Sequence, residues 1–108
     1  MIARMWTGTT TVADAAAYVA HLREHTFPAL AQIEGHRRAC ALRQTSGASV
    51  RFVVLTFWDS IDSIRRFAGD DAEAAVIPPE ARALLESYDP RASHWEVSLD
   101  NSTQGGAK

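Results

Sequence analysis

The chain has 108 residues, 46% of them hydrophobic and 22% charged, which is enough apolar material for one folded core. Its 11 basic and 13 acidic side chains leave a formal charge of −2, with Arg37-Arg38 and Arg65-Arg66 the only adjacent basic pairs, so no field gathers phosphate and nucleic acid is not an expected partner. One cysteine, Cys40, cannot form an internal disulfide; the opening MIARMWTG lacks the apolar core of a signal peptide and no apolar run could span a bilayer, so a cytoplasmic protein with no membrane partner is expected.

In chain order, Ile2 to Thr7 reads as a strand, and TGTTT as a loop whose Thr11 can cap a helix beginning near Ala13. The apolar stripe Ala15, Val19, Leu22, Thr26, Ala29 and Ile33 keeps helical spacing, although Pro28 must kink or restart the helix because it lacks a backbone donor. Gly35 stops it. HRRACALRQ (36–44) is a second strand, TSGAS a hairpin turn, and Val50 to Trp58 its partner. Asp59 or Ser60 can accept the free amides of a short helix, on which Ile61, Ile64, Phe67 and Ala68 share a face before Gly69 ends it. DDAEAAVIPPEARALLESY predicts a helical turn, a break at Pro78-Pro79 and a helix with Pro79 at its start. After a turn at DPR, Ser93 to Leu99 is the last strand; residues 1–99 form the expected domain and 100–108 a polar, poorly ordered tail.

This order is the split βαβ pattern of a ferredoxin-like α+β sandwich. Helices on such a sheet cover one face only. Yet Arg51, Val53, Leu55 and Phe57 alternate with Phe52, Val54, Thr56 and Trp58, so the strand is apolar on both sides. At roughly 25 cal/mol per Å² the uncovered side is costly to leave in water, and a homodimer packed sheet to sheet is expected.

The stretches FPALAQIEGHRRACALRQ, FVVLTFWDSIDSIRRFAGDD and SHWEV resemble the antibiotic biosynthesis monooxygenase domain of the dimeric α+β barrel superfamily, over about residues 2 to 98. The resemblance implies a cavity between helices and sheet, and a family that includes cofactor-free oxygenases of polyketide aromatics, haem-degrading enzymes and small isomerase-like proteins. The haem-degrading branch carries an Asn on the first strand, a Trp on the helix after the hairpin and a His about ten residues on. Here no Asn lies in Met1 to Gly8, and Phe67 and Ile77 stand at the Trp and His positions, so neither haem nor another cofactor is expected. The quinone-forming branch places an Asn four residues before that Trp, where this chain has Ser63. Trp58 matches the family's strand-end tryptophan, for which packing is expected over substrate contact.

Oxidising a hydroquinone or anthrone without a cofactor requires an apolar cavity and a base that makes the phenolate which O₂ attacks. Histidine suits that role. Tyr18, Leu22 and His25 follow i, i+4, i+7 spacing at the edge of the helical stripe, and either lean into a cavity or form a solvated flank. On the last strand either His94 or Trp95 faces the helices. His25 and His94 are therefore the candidate bases. Trp6, Tyr18 and Phe67 are candidate walls for a small aromatic ligand. Arg4 is placed to bind a carboxylate or enolate, or to form a rim salt bridge. His36 is expected to be exposed, and Cys40 to be a small core residue. HLREH (21–25) fits the inverted zinc-protease string H-x-x-E-H, but such enzymes take a third ligand from a much larger domain, and Glu96 is the one distant carboxylate to nominate here, so no metal is expected. A non-catalytic ligand-binding or structural homodimer is the alternative to an enzyme.

Overall fold

The computed structural model describes residues 1–101, so the tail beyond them lies outside the described residues. Strands β1 (Ile2–Thr11) and β3 (Ser49–Trp58) pair antiparallel along their whole length, from Ile2 opposite Trp58 to Thr11 opposite Ser49. Strand β2 (His36–Ser46) lies on the far side of β3, joined to it by a two-residue turn in which Gly47 takes φ 60°. Strands β4 (Ser87–Tyr88) and β5 (Ser93–Glu96) share the free edge of β1, giving the order β2-β3-β1 with β4 and β5 outermost. This is the expected α+β, ferredoxin-like arrangement. Among the described residues, no helix is long and apolar enough to cross a membrane.

Helices α1 (Val12–His21), α2 (Phe27–Ala31) and α3 (Ile61–Ala68) cover one sheet face. Ala15, Tyr18 and Leu22 pack on Val50, Phe52 and Val54, while Leu30 and Ile64 pack on Trp58, all of them buried. Thr11 caps α1 by accepting the Asp14 N–H at 3.1 Å, as expected. Ser60 and Ser63 cap α3 reciprocally. Gly35, at φ 92°, allows the β2 approach to pass beneath this cap, because a Cβ there would run into the Ser63 side chain.

Three sequence expectations are corrected. The segment TGTTT is strand rather than loop, because ten residues of β3 offer hydrogen-bonding partners along all of β1 and threonine is at ease in the extended pleat. The helix starting at Pro79 ends at Arg82 (α4, Pro79–Arg82), and Ser87–Tyr88 turns to pair with Gly8 and Thr9, whose outer edge β5 leaves open. The expected helical turn is a single one, the Ala74 N–H donating to the Asp71 carbonyl at 3.0 Å, and Ala74 then bridges Arg91 instead of continuing it. The last strand stops at Glu96 rather than Leu99.

The long helix does not restart at Pro28; it widens. Leu22–Thr26 form a π turn, with the Phe27 N–H donating to the Leu22 carbonyl. Pro28 has no donor for the Glu24 carbonyl and its ring crowds that oxygen, and a locally wider helix relieves both. The extra residue rotates everything after it, so Leu30 is buried and Ala29 exposed, the reverse of the stripe read with uninterrupted spacing.

Among the described residues, no helix covers the opposite sheet face. Val53, Leu55 and Phe57 are half-buried there, and Leu42 and Trp95 stand 52% and 59% exposed. Cys40, opposite Leu55, belongs to this face rather than to the core, since strand alternation sends Ala39 and Ala41 the other way.

Candidate functional site

Between α1, the π turn and α2 on one side and β1 and β3 on the other, the sheet and helices do not close completely. An inner chamber of about 60 Å³ is walled by Arg4 and Trp6 of β1, Val54 and Thr56 of β3, and Tyr18, His21 and Leu22 of the long helix. Phe67 of α3, the segment Val76, Ile77 and Pro78, and Thr26, Leu30 and Ala81 complete it. His21, Thr26, Phe67, Val76 and Pro78 also border a wider outer cleft of about 510 Å³, whose remaining wall is His25, Ala29 and Glu80.

Each wall residue has a local cause. Trp6 lies along its own strand and donates its indole N–H to the Asp89 carbonyl at 2.7 Å, tying the β4–β5 loop to the chamber. Gly8 makes room for it: a Cβ there would come within 2.6 Å of the Trp6 ring. Phe67 stacks on Trp58 with centroids 5.9 Å apart, so the core tryptophan backs the chamber wall without lining it. Tyr18 packs on Phe52 at 4.9 Å, and burial pushes its phenol pKa well above the ordinary value, keeping it neutral.

Two wall residues carry buried nitrogen without a partner. Arg4 is 4% exposed; its Nη2 donates to the Ala74 carbonyl at 2.6 Å, while its Nε has no acceptor. No carboxylate among the described residues forms an ion pair with it, so the expected rim salt bridge is absent, and burial lowers its pKa. The guanidinium carbon stands 5.5 Å from the Phe67 ring centre. His21 is 9% exposed and its Nε2 is buried without a partner.

The structure therefore brings Arg4, Trp6, Tyr18 and Phe67 together around one chamber. His25 is exposed at the outer mouth, its ring 5.4 Å from that of His21. His94 pairs with Arg4 across β1 and β5 and so faces the helix side, with Trp95 on the open face, yet it lines neither part of the cleft. Burial, then the Arg4 charge, lower the His94 pKa against the pull of Glu73. His36, expected to be exposed, is half-buried and meets Trp58 edge-on at 4.9 Å. His21 was missed as a wall residue. Its signal was its place three residues after Tyr18, obscured when the stripe was followed through Leu22 and His25.

As for the string HLREH, Glu24 is exposed and Glu96 sits on β5 opposite Ile2. Among the described residues, no three His, Cys, Asp or Glu side chains are grouped where they could hold a metal ion. Ser63, at the position where the resembling family has Asn, spends its hydroxyl on the α3 cap, donating to the Ser60 carbonyl at 2.6 Å.

No family model and no curated protein matches the chain. Solved structures do. The haem-degrader MhuD from Mycobacterium tuberculosis, solved with two haems in its active site, is 19% identical with a TM-score of 0.60, over 93% of this chain and 98% of its own. A Bacillus cereus protein assigned to the antibiotic biosynthesis monooxygenases is 15% identical with a TM-score of 0.63, over 93% and 94% of the two chains. The fold is thus the one implied by the sequence resemblance.

Proposed function

We propose that the chain is a cofactor-independent monooxygenase, or a closely related small enzyme, acting on an electron-rich aromatic molecule of polyketide type held in the cleft between helices and sheet. One observation carries this reading: a buried histidine, His21, whose Nε2 has no hydrogen-bond partner, lines an otherwise largely apolar chamber. His21 takes over the base role expected of His25 or His94. It removes the acidic proton of a phenol or anthrone; the resulting carbanion adds to O₂, and the hydroperoxide loses water. One oxygen atom stays in the product as a carbonyl and the other leaves in water, so a CH₂ and O₂ become C=O and H₂O. Tyr18, held neutral, offers an O–H donor and Arg4 a cationic N–H donor to the developing oxyanion.

Haem fits these residues poorly. Ile77 has no donor atom where the haem-degrading branch has its histidine, and an inner chamber of about 60 Å³ admits a head group rather than a macrocycle.

A second reading, a ligand-binding homodimer without catalysis, is favoured by Ser63, which serves the helix cap instead of the cleft. Oxygen uptake separates the two. Metal-stripped, haem-free protein given a hydroxyanthrone should consume one O₂ per molecule converted, well above the spontaneous rate. Tight binding with no added uptake leaves the second reading standing.

Both readings include a homodimer packed through the open sheet face, because Leu42, Val53, Leu55, Phe57 and Trp95 form an apolar surface that no helix among the described residues covers. Leu55→Asp places a charge in that interface, where an unpaired buried ion costs several kcal/mol. Sedimentation of the wild type at micromolar concentration should show a dimer, and the variant should sediment as a monomer or unfold. A stable wild-type monomer contradicts the assembly.

A further inference from the structure

Resting on the ligand-binding cleft proposed above, we infer that the ligand enters head first and carries a single anionic oxygen group, a carboxylate or phenolate, which Arg4 and His21 receive in the inner chamber. The first support is an uncompensated charge. A guanidinium only 4% exposed has lost most of its water, yet one donor goes to the Ala74 carbonyl and Nε goes to nothing. A buried cation is costly unless it is paired. The acids of the neighbouring segment do not serve it: Glu73 and Asp71 are both held by Arg91, at 3.0 Å each. An entering anion supplies the missing partner, with hydrogen bonds of the strong, charge-assisted kind.

The second support is the free Nε2 of His21 on the wall of the same chamber. Two residues from separate elements, β1 and α1, each with an unpartnered nitrogen, line one small volume. Size is the third. A chamber of about 60 Å³ holds the volume of roughly two waters, which suits a carboxylate or phenolic oxygen and excludes a ring system. The body of the ligand then occupies the outer cleft against Ala29, Phe67, Val76 and Pro78. Glu80 also borders that cleft and repels a second negative charge, which selects a molecule charged at one end only.

The test is calorimetric titration of the full chain with 2-naphthoate, its neutral isostere 2-naphthamide, and 2-naphthol. Wild-type protein should bind naphthoate at least about tenfold more tightly than naphthamide, the discrimination expected of a buried charged hydrogen bond. Naphthol binding that strengthens with rising pH to overtake naphthoate identifies a phenolate head; naphthoate tightest throughout identifies a carboxylate. Arg4→Met should abolish the preference and Arg4→Lys keep part of it. If Arg4→Met fails to fold, the wild-type preference alone still decides. Equal affinity for naphthoate and naphthamide overturns the inference, as does a preference unchanged in a folded Arg4→Met, which reduces Arg4 to a brace for Ala74. Failure of all three to bind overturns both this inference and the ligand-binding cleft. A clear preference without oxygen uptake overturns only the oxygenase reading.

Discussion

His21→Ala is expected to slow hydroxyanthrone-dependent oxygen uptake by about 10²- to 10⁴-fold, the usual contribution of a positioned general base. The loss should fall mainly on kcat, because Arg4 still receives the anionic head and the aromatic body of the ligand rests on Phe67, Val76 and Pro78, with only the His21 share of head-group binding lost as well. His25→Ala and His94→Ala are the informative companions. His25 is exposed at the mouth and His94 lines neither part of the cleft, so each should cost far less than His21→Ala. Uptake measured on all three variants, beside melting curves to establish that each is folded, checks the assignment. A larger loss in His94→Ala than in His21→Ala would return the base role to the last strand.

Trp58→Ala should have the largest effect on stability. The indole is 0% exposed and lies among Leu30, Ile64, His36 and Phe67, with its N–H donated to the Thr56 hydroxyl at 2.8 Å. Truncating such a residue costs about 3–5 kcal/mol, a large share of the roughly 5–15 kcal/mol that holds a domain together. Each kcal/mol moves Tm by about 4–8 °C in a domain of this size, so a fall of more than about 10 °C is expected. The milder Trp58→Phe should leave naphthoate affinity nearly unchanged, since Trp58 does not line the chamber. Phe67→Ala should reverse the pattern. Its ring is half-buried and borders both parts of the cleft, so affinity for flat aromatics should drop with a smaller loss of Tm. Calorimetric titration and thermal melts on the variants check both statements; loss of binding in Trp58→Phe with none in Phe67→Ala reverses the roles.

Much of the fold was legible because its signals are local. Alternation along Val50 to Trp58, the hairpin at Gly47, the Thr11 cap and the serine cap of α3 all follow from neighbouring residues, and the structure contains each of them. The misread segments depend on partners distant in sequence. Ser87–Tyr88 pairs with β1 because β5 leaves that edge unpaired, and no helix propensity in ALLESY announces it. The chamber was half legible for a related reason. Arg4, Trp6, Tyr18 and Phe67 come from strand and helix periods that hold. The histidine was misassigned because His25 lies within the π turn before Pro28 and ends up exposed, whereas His21, ahead of that turn, keeps its regular spacing from Tyr18 and is buried. Periodicity counted through an unbroken helix cannot register an inserted residue.

Three of the chain's four histidines sit at clearly different places relative to the cleft. His21 is in the chamber wall, His25 at the mouth, and His36 against Trp58 away from both. Their imidazole nitrogens can be followed by long-range ¹H–¹⁵N correlation spectra while 2-naphthoate is added to the wild type. The ring nitrogens of His21 should shift most, those of His25 less, and those of His36 should hold still. Saturable binding in which His36 moves and His21 does not would place the ligand elsewhere on the fold and contradict the chamber as the functional site.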